Sequence, residues 1–387
     1  MNPVRPGVDL FLADKKWRGP RLGLIAHAAS IRADLTPTAV ALRHGGFRVA
    51  ALFAPEHGLT AALQDQAPVQ GARDKSTGLP VYSLYGKTLA PTRAMLENID
   101  ALVFDLQDIG VRYYTFVWTM ALALEACARA RKPFIVLDRP NPLGGRRDGN
   151  LPEADHLSYV GLHPVPVEHG LTVGEMALWL NAARGWGADL HVYRVSGWRR
   201  GRRFNSTGLP WVLPSPNMPT LDTATVYGGT CLFEATNLSE GRGTTRPFEI
   251  VGAPFLDGDA WARALKPHDL AGVRFRPLVF RPTFNKWAGR LCGGVQLHVT
   301  DPAAFSSFQT GLALLHTAKQ IAPRSFRWAP PPYEYETVKP PIDILTGSPA
   351  ARRAIDAGDS LRRLAAPWAA QRAVFARAAD PHRLYPA

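Results

Sequence analysis

The sequence predicts an α/β fold, a Rossmann-like and mostly parallel sheet with helices on both faces, plus a smaller α+β C-terminal domain. Three observations carry this. Short, continuously apolar runs alternate with segments of helical periodicity over the first two-thirds of the chain, as expected for strands buried on both faces. The chain has 387 residues, enough for two cores. Near residue 250 the pattern changes to β-like runs followed by helices, which predicts domains at 1–250 and 251–387.

The elements follow in order. RLGLIAHAAS (21–30) reads as strand then loop, and LTPTAVALRHGG (35–46) as a helix closed by two glycines. FRVAALFAPEHG (47–58) is a second strand and loop, and PTRAMLENI a short helix with proline near its first turn. ALVFDLQDIG (101–110) is a third strand; TFVWTMALALEACARARK (115–132) has helical length and a cationic end suited to the helix dipole. KPFIVLDRPNPLGG (132–145) is a fourth strand and loop. In LTVGEMALWLNAARG (171–185), Thr172 and Glu175 stand at capping-box spacing. LHVYRVSGW (190–198) and TCLFEA (230–235) read as further buried strands. Beyond residue 250, VRFRPLVF (273–280) and GGVQLHVTD (293–301) are β-like, while 305–320 and 359–379 are helical. The segment FRWAPPPYEYETVKPPIDILTG between those helices is rich in proline and aromatics and also looks functional.

Composition narrows the function classes. Hydrophobic residues make up 46% and charged ones 20%, an ordinary globular balance. No apolar run reaches transmembrane length and the first residues lack a signal-peptide pattern, so membrane insertion is not expected and a cytoplasmic location is. The three cysteines have no metal-ligand spacing and read as buried thiols. The net charge of +13 invites a polyanion, but the arginines are scattered and not interleaved with aromatics in one tract. Nucleic acid is therefore not expected as a partner.

In a parallel sheet of this kind, ligands bind beyond the carboxyl ends of the strands. The residues predicted there are unusually polar. APEHG puts Glu56 and His57 at a strand end, where Glu56 suits a general acid or base. FDLQDIGVRYYT holds Asp105 and Asp108, with Arg112 able to grip a carboxylate and Tyr113 and Tyr114 able to face a sugar ring. LDRPNPLGG contributes Asp138 and Asn141, which either orient a ligand or brace the turn. PSPNMPTLDT adds Asn217. NLSEGRGTTRPFE supplies Asn237, Glu240, Arg242 and Arg246, with glycines that let backbone N–H groups approach an anion. P-loop, G-x-G-x-x-G, H-E-x-x-H, C-x-x-C and G-x-S-x-G patterns do not occur, so no metal or cofactor is expected. The residues alone describe a carboxylate-rich crevice prepared for an anionic, hydroxylated ligand.

Taken together, GLIAHAAS, LFAPEHGL, VFDLQDIGVRYYTFVWTM, VLDRPNPLGG, PVEHGLTVGEMA and above all PSPNMPTLDTATVYGGTCLFEATNLSEGRGTTRPFEIVGAPF resemble the exo-β-N-acetylmuramidase (NamZ) family, in order over nearly the whole chain. The resemblance implies release of N-acetylmuramic acid (MurNAc) from the non-reducing ends of peptidoglycan fragments such as MurNAc-GlcNAc. It also implies an active-site cleft in the Rossmann-like domain, and Glu56, matching the PEHG motif, as the acid. The lactyl carboxylate of the sugar would give Arg242, Arg246 or Arg112 an anion to hold. Glu240 is one choice for the second catalytic group. The other is the sugar's own 2-acetamido group, polarised by Asp105 or Asp108. The competing expectation is a protein that binds muropeptides or other anionic sugars without cleaving them. Oligomeric state is not legible.

Overall fold

The computed structural model describes residues 3–64, 72–75 and 77–387. Its first sheet contains β1 (Arg21–Ala26), β2 (Arg48–Ala54), β3 (Ala72–Arg73), β4 (Pro80–Ser83), β5 (Ala101–Asp105), β6 (Phe134–Leu137) and β7 (Leu190–Tyr193). The order across the sheet is β3-β4-β2-β1-β5-β6-β7. Six strands are parallel, and the two-residue β3 adds an antiparallel edge beside β4. Ranked among themselves, the six parallel strands run 3-2-1-4-5-6, the doubly wound order. The central strands are apolar throughout because helices cover both faces: β5 and β6 are wholly buried, as is β1 beyond its first residue.

The topological switch point lies between β1 and β5, where Ala26 pairs with Asp105. In nucleotide-binding relatives of this architecture that crevice takes the ligand. Here it is tied by protein groups. The Asp105 carboxylate accepts from Arg139 Nε at 2.6 Å, Arg139 Nη2 at 2.9 Å and Thr38 Oγ1 at 2.5 Å. Arg139 also donates to the Ile31 carbonyl at 2.8 Å, so one guanidinium joins the loops after β1, β5 and β6.

A second sheet, antiparallel in the order β8-β10-β9, is built from β8 (Ile250–Ala253), β9 (Val273–Phe280) and β10 (Cys292–Val299). Helix Gly258–Leu265 packs on it, and helix Ser307–Ile321 packs on that helix, where Trp261 Nε1 donates to Thr317 Oγ1 at 2.9 Å. One apolar core continues from Phe104 and Trp118 beside the first sheet to Phe233, Trp261 and Phe308 beside the second. All three cysteines are buried. No helix among the described residues is long and apolar enough to cross a membrane.

Two predicted elements differ. TCLFEA is helical, not a strand: the helix Leu221–Thr230 tightens directly into a 3-10 turn, Cys231–Ala235. A short apolar run buried on every side has no periodicity to separate strand from helix. Its position depends on close backbone approach, since a Cβ on Gly229 would stand 1.9 Å from the Ser307 carbonyl oxygen and one on Gly311 2.2 Å from that of Gly229. The stretch 359–379 divides into Leu361–Ala365 and Trp368–Ala379, because Pro367 cannot donate within a continuous helix.

Candidate active site

The residues that matter follow the carboxyl ends of β2 and β5. After β2 the chain turns sharply through His57 (φ 67°) and Gly58 (φ 76°), which leaves Glu56 lining a small polar cavity. After β5 the loop through Tyr113, Tyr114 and Thr115 forms the opposite side before the helix Phe116–Ala130 begins. Thr115 Oγ1 donates to Glu56 Oε2 at 2.7 Å, joining the two strand ends. Ser215, Asn217, Met218 and Tyr227 close one flank, Glu234, Arg242 and Phe248 another, and Tyr333 and Glu334 the side contributed by the C-terminal region.

The walls are cross-braced. Tyr113 donates to the Gly228 carbonyl at 2.8 Å; Tyr227 packs edge-on to Tyr114 and to Phe248 at centroid distances of 5.9 and 4.8 Å. Asn217 Nδ2 donates to Gln64 Oε1 at 2.8 Å, and His57 Nδ1 lies 2.8 Å from the Leu63 carbonyl. A charged relay runs outward from the cavity. Glu234 accepts from Tyr333 at 2.6 Å and from Arg242 Nη2 at 2.7 Å. Arg242 Nε stands 3.2 Å from Glu240, and Glu240 pairs with Lys286 Nζ at 2.9 Å. Burial pushes the Glu240 carboxyl up, but Lys286 and then Arg242 outweigh it and hold the group below the usual carboxylate range. Glu240, which the sequence offers as one choice for the second catalytic group, is a brace behind Arg242, outside the cavity lining.

Of the predicted site residues, the cavity gathers Glu56, His57, Tyr113, Tyr114, Asn217 and Arg242. The others have structural employment, for definite reasons. Arg112 is 1% exposed and donates to the carbonyls of Asn150, Val165 and Leu345 at 2.7, 3.0 and 2.9 Å, so its fork grips backbone in place of a ligand anion. Arg246 is half-exposed and pairs with Glu249 at 3.1 Å. Asp105 is held by Arg139, and Asp108 accepts from the Gly110 N–H at 2.6 Å, with His169 Nε2 3.5 Å away. Asn141 ties its own turn, donating to Leu171 and accepting from Leu143 at 2.9 Å each. Asn237 donates to the Ser325 carbonyl at 2.8 Å and accepts from the Arg327 N–H at 2.9 Å.

Asp138 is likewise a brace, accepting from Thr172 Oγ1 at 2.7 Å, the Gly174 N–H at 2.9 Å and the Tyr385 hydroxyl. Burial nevertheless pushes its pKa up from 3.8 to about 6. The fold therefore prefers the protonated form. The stability this group contributes is present in full below about pH 3.8 and is lost as pH rises through about 6, about 3 kcal/mol in all. Asp138→Asn should flatten the decline of the urea midpoint over that window. A variant with the wild-type pH dependence would remove Asp138 as its source.

Two acids in the wall, Glu234 and Glu334, were not singled out from sequence, nor was Tyr85 beside them. Glu234 was hidden by reading 230–235 as a strand. Glu334 lies in the segment PPPYEYE, whose density of proline and tyrosine marked it without distinguishing one glutamate from its neighbours. Tyr85, outside the cavity lining, donates to Glu334 Oε2 at 3.1 Å.

The chain is similar to known proteins along most of its length. Residues 22–222 match the family described as exo-beta-N-acetylmuramidase NamZ, N-terminal, and residues 225–385 its C-terminal counterpart. The chain is 45% identical over 329 residues to the peptidoglycan beta-N-acetylmuramidase NamZ of Bacillus subtilis (strain 168), covering 84% of this chain and 80% of that protein. Two crystal structures of DUF1343 family proteins from Bacteroides fragilis NCTC 9343 are similar. One has a TM-score of 0.89 at 32% identity, covering 99% of both chains. The other has a TM-score of 0.79 at 27% identity, covering 100% of this chain and 99% of its own. With both halves matched in order and a shared fold from end to end, this chain belongs to the NamZ family of exo-β-N-acetylmuramidases.

Proposed function

We propose that the protein is a glycoside hydrolase that removes MurNAc from the non-reducing ends of peptidoglycan fragments such as MurNAc-GlcNAc, with Glu56 as the acid that protonates the leaving oxygen. The observation that carries this is the placement of Glu56: buried, hydrogen-bonded by Thr115, and lining a polar cleft shared with Tyr113, Asn217, Arg242 and Glu334. Tyr113, Tyr114 and Tyr227 offer aromatic surface to the ring, and Asn217 and Ser215 offer partners for its hydroxyls. Of the three arginines considered for the lactyl carboxylate, Arg242 is the one in the wall.

Incubation with para-nitrophenyl β-N-acetylmuramide and with MurNAc-GlcNAc should release nitrophenol and MurNAc respectively. The matching N-acetylglucosaminide, which lacks the lactyl group, should be turned over more slowly. Binding of MurNAc-GlcNAc without product would instead identify a non-catalytic binder. Proton NMR of the first-formed anomer separates retention from inversion.

A further inference from the structure

Glu334 shares the cavity with Glu56 but comes from the other end of the chain. It is 8% exposed and sits on a tight turn in which Tyr333 and Glu336 exchange backbone hydrogen bonds at 2.8 and 2.9 Å. Both residues at the tip are in the left-handed region, Glu334 at φ 44° and Tyr335 at φ 67°. Neither is glycine, and such positions cost about 1–3 kcal/mol each unless the surroundings hold them. The surroundings do: Tyr333 is anchored on Glu234, the Tyr335 hydroxyl accepts from the Gly86 N–H at 3.0 Å, and the Tyr335 ring packs against Tyr85 and Tyr159 at 5.6 and 5.5 Å. The strain is spent on turning a carboxylate inward.

We propose that Glu334 is the second carboxylate of the pocket, facing the sugar carbon that gains positive charge as the glycosidic bond breaks. The Tyr85 hydroxyl donates to Glu334 Oε2 at 3.1 Å and is also within hydrogen-bonding reach of Glu56. Glu56 bears on the same phenol: burial, then the negative charges of Glu56 and Glu334, push Tyr85 far above its ordinary value. The two acids, which stand 278 positions apart in the chain, thus meet at one phenol. The arrangement places a second carboxylate, Glu334, in the same wall as the acid, Glu56.

The inference rests on the hydrolase reading, and the test keeps the two apart. Calorimetry would compare a protonated piperidine analogue of a 2-acetamido-hexose with its ring-oxygen counterpart, which has the same shape and no charge. The wild type should bind the cation at least about tenfold more tightly, the scale of one close charge pair. Glu334→Gln should lose most of that preference while its affinity for the uncharged analogue stays within about twofold. Glu334→Asp, which keeps the charge, should retain most of the preference. No cation preference in the wild type, or an unchanged ratio in Glu334→Gln, overturns the assignment. Turnover of para-nitrophenyl β-N-acetylmuramide by the wild type, measured alongside, judges the hydrolase reading independently of that ratio.

Discussion

Glu56→Gln should fold normally and turn over para-nitrophenyl β-N-acetylmuramide at least about a hundredfold more slowly than the wild type, the scale of general acid–base catalysis. The substitution exchanges one oxygen for an amide nitrogen and changes almost no volume. Thr115 Oγ1, 2.7 Å from Glu56 Oε2, can donate to an amide oxygen as it does to a carboxyl oxygen, so the strand-end contact survives. What is lost is the proton, which a sugar leaving group requires as its bond to C1 breaks. Because nitrophenol leaves more readily than a sugar, the deficit should be larger on MurNAc-GlcNAc than on the chromogenic substrate. An unimpaired variant would exclude Glu56 as the acid.

Arg112→Met should destabilise the protein by about 4 kcal/mol or more, read from urea unfolding. Methionine fills much of the volume, but three buried carbonyls, those of Asn150, Val165 and Leu345, lose their donor together. Each orphaned acceptor costs about 1–3 kcal/mol. Burial lowers the Arg112 pKa to about 10, which still leaves the guanidinium charged at neutral pH, so lysine keeps the charge but cannot reproduce the planar fork. Leu345 belongs to the helix Pro341–Thr346, which makes Arg112 a stitch between the Tyr113–Thr115 loop and the region carrying Glu334. A raised KM with unchanged stability would restore the ligand-gripping role that its sequence context suggests.

Much of the fold was legible because burial on both faces writes strands as unbroken apolar runs. LGLIA, AALFA, ALVF and FIVL each read plainly, and the helices between them carry caps such as the Thr172–Glu175 box, which forms as expected. TCLFEA was misread for the same reason, since complete burial erases the period that separates strand from helix. The site was legible in outline only. Glu56, His57, Tyr113, Tyr114, Asn217 and Arg242 meet in one cavity, as a strand-end rim predicts. Asp105, Asp108, Asp138, Asn141 and Arg112 have the same composition and the same position after strands, yet their polar atoms are consumed by neighbouring backbone and side chains. A polar residue at a strand end is equally suited to tying a loop and to meeting a ligand, and local sequence carries no signal that distinguishes them.

The sequence by itself determined the sheet, its mostly parallel character and the strand end on which Glu56 sits, because hydrophobic patterning and turn chemistry are properties of contiguous residues. Only the tertiary structure decided which acids face the cavity. Glu334 stands 278 positions beyond Glu56 in the chain and reaches it through a turn held in the left-handed region and a phenol from a third segment. Glu240, only six residues after Glu234, is turned to Lys286 instead. Charge pairing depends on distance in space, and no spacing along the chain encodes it.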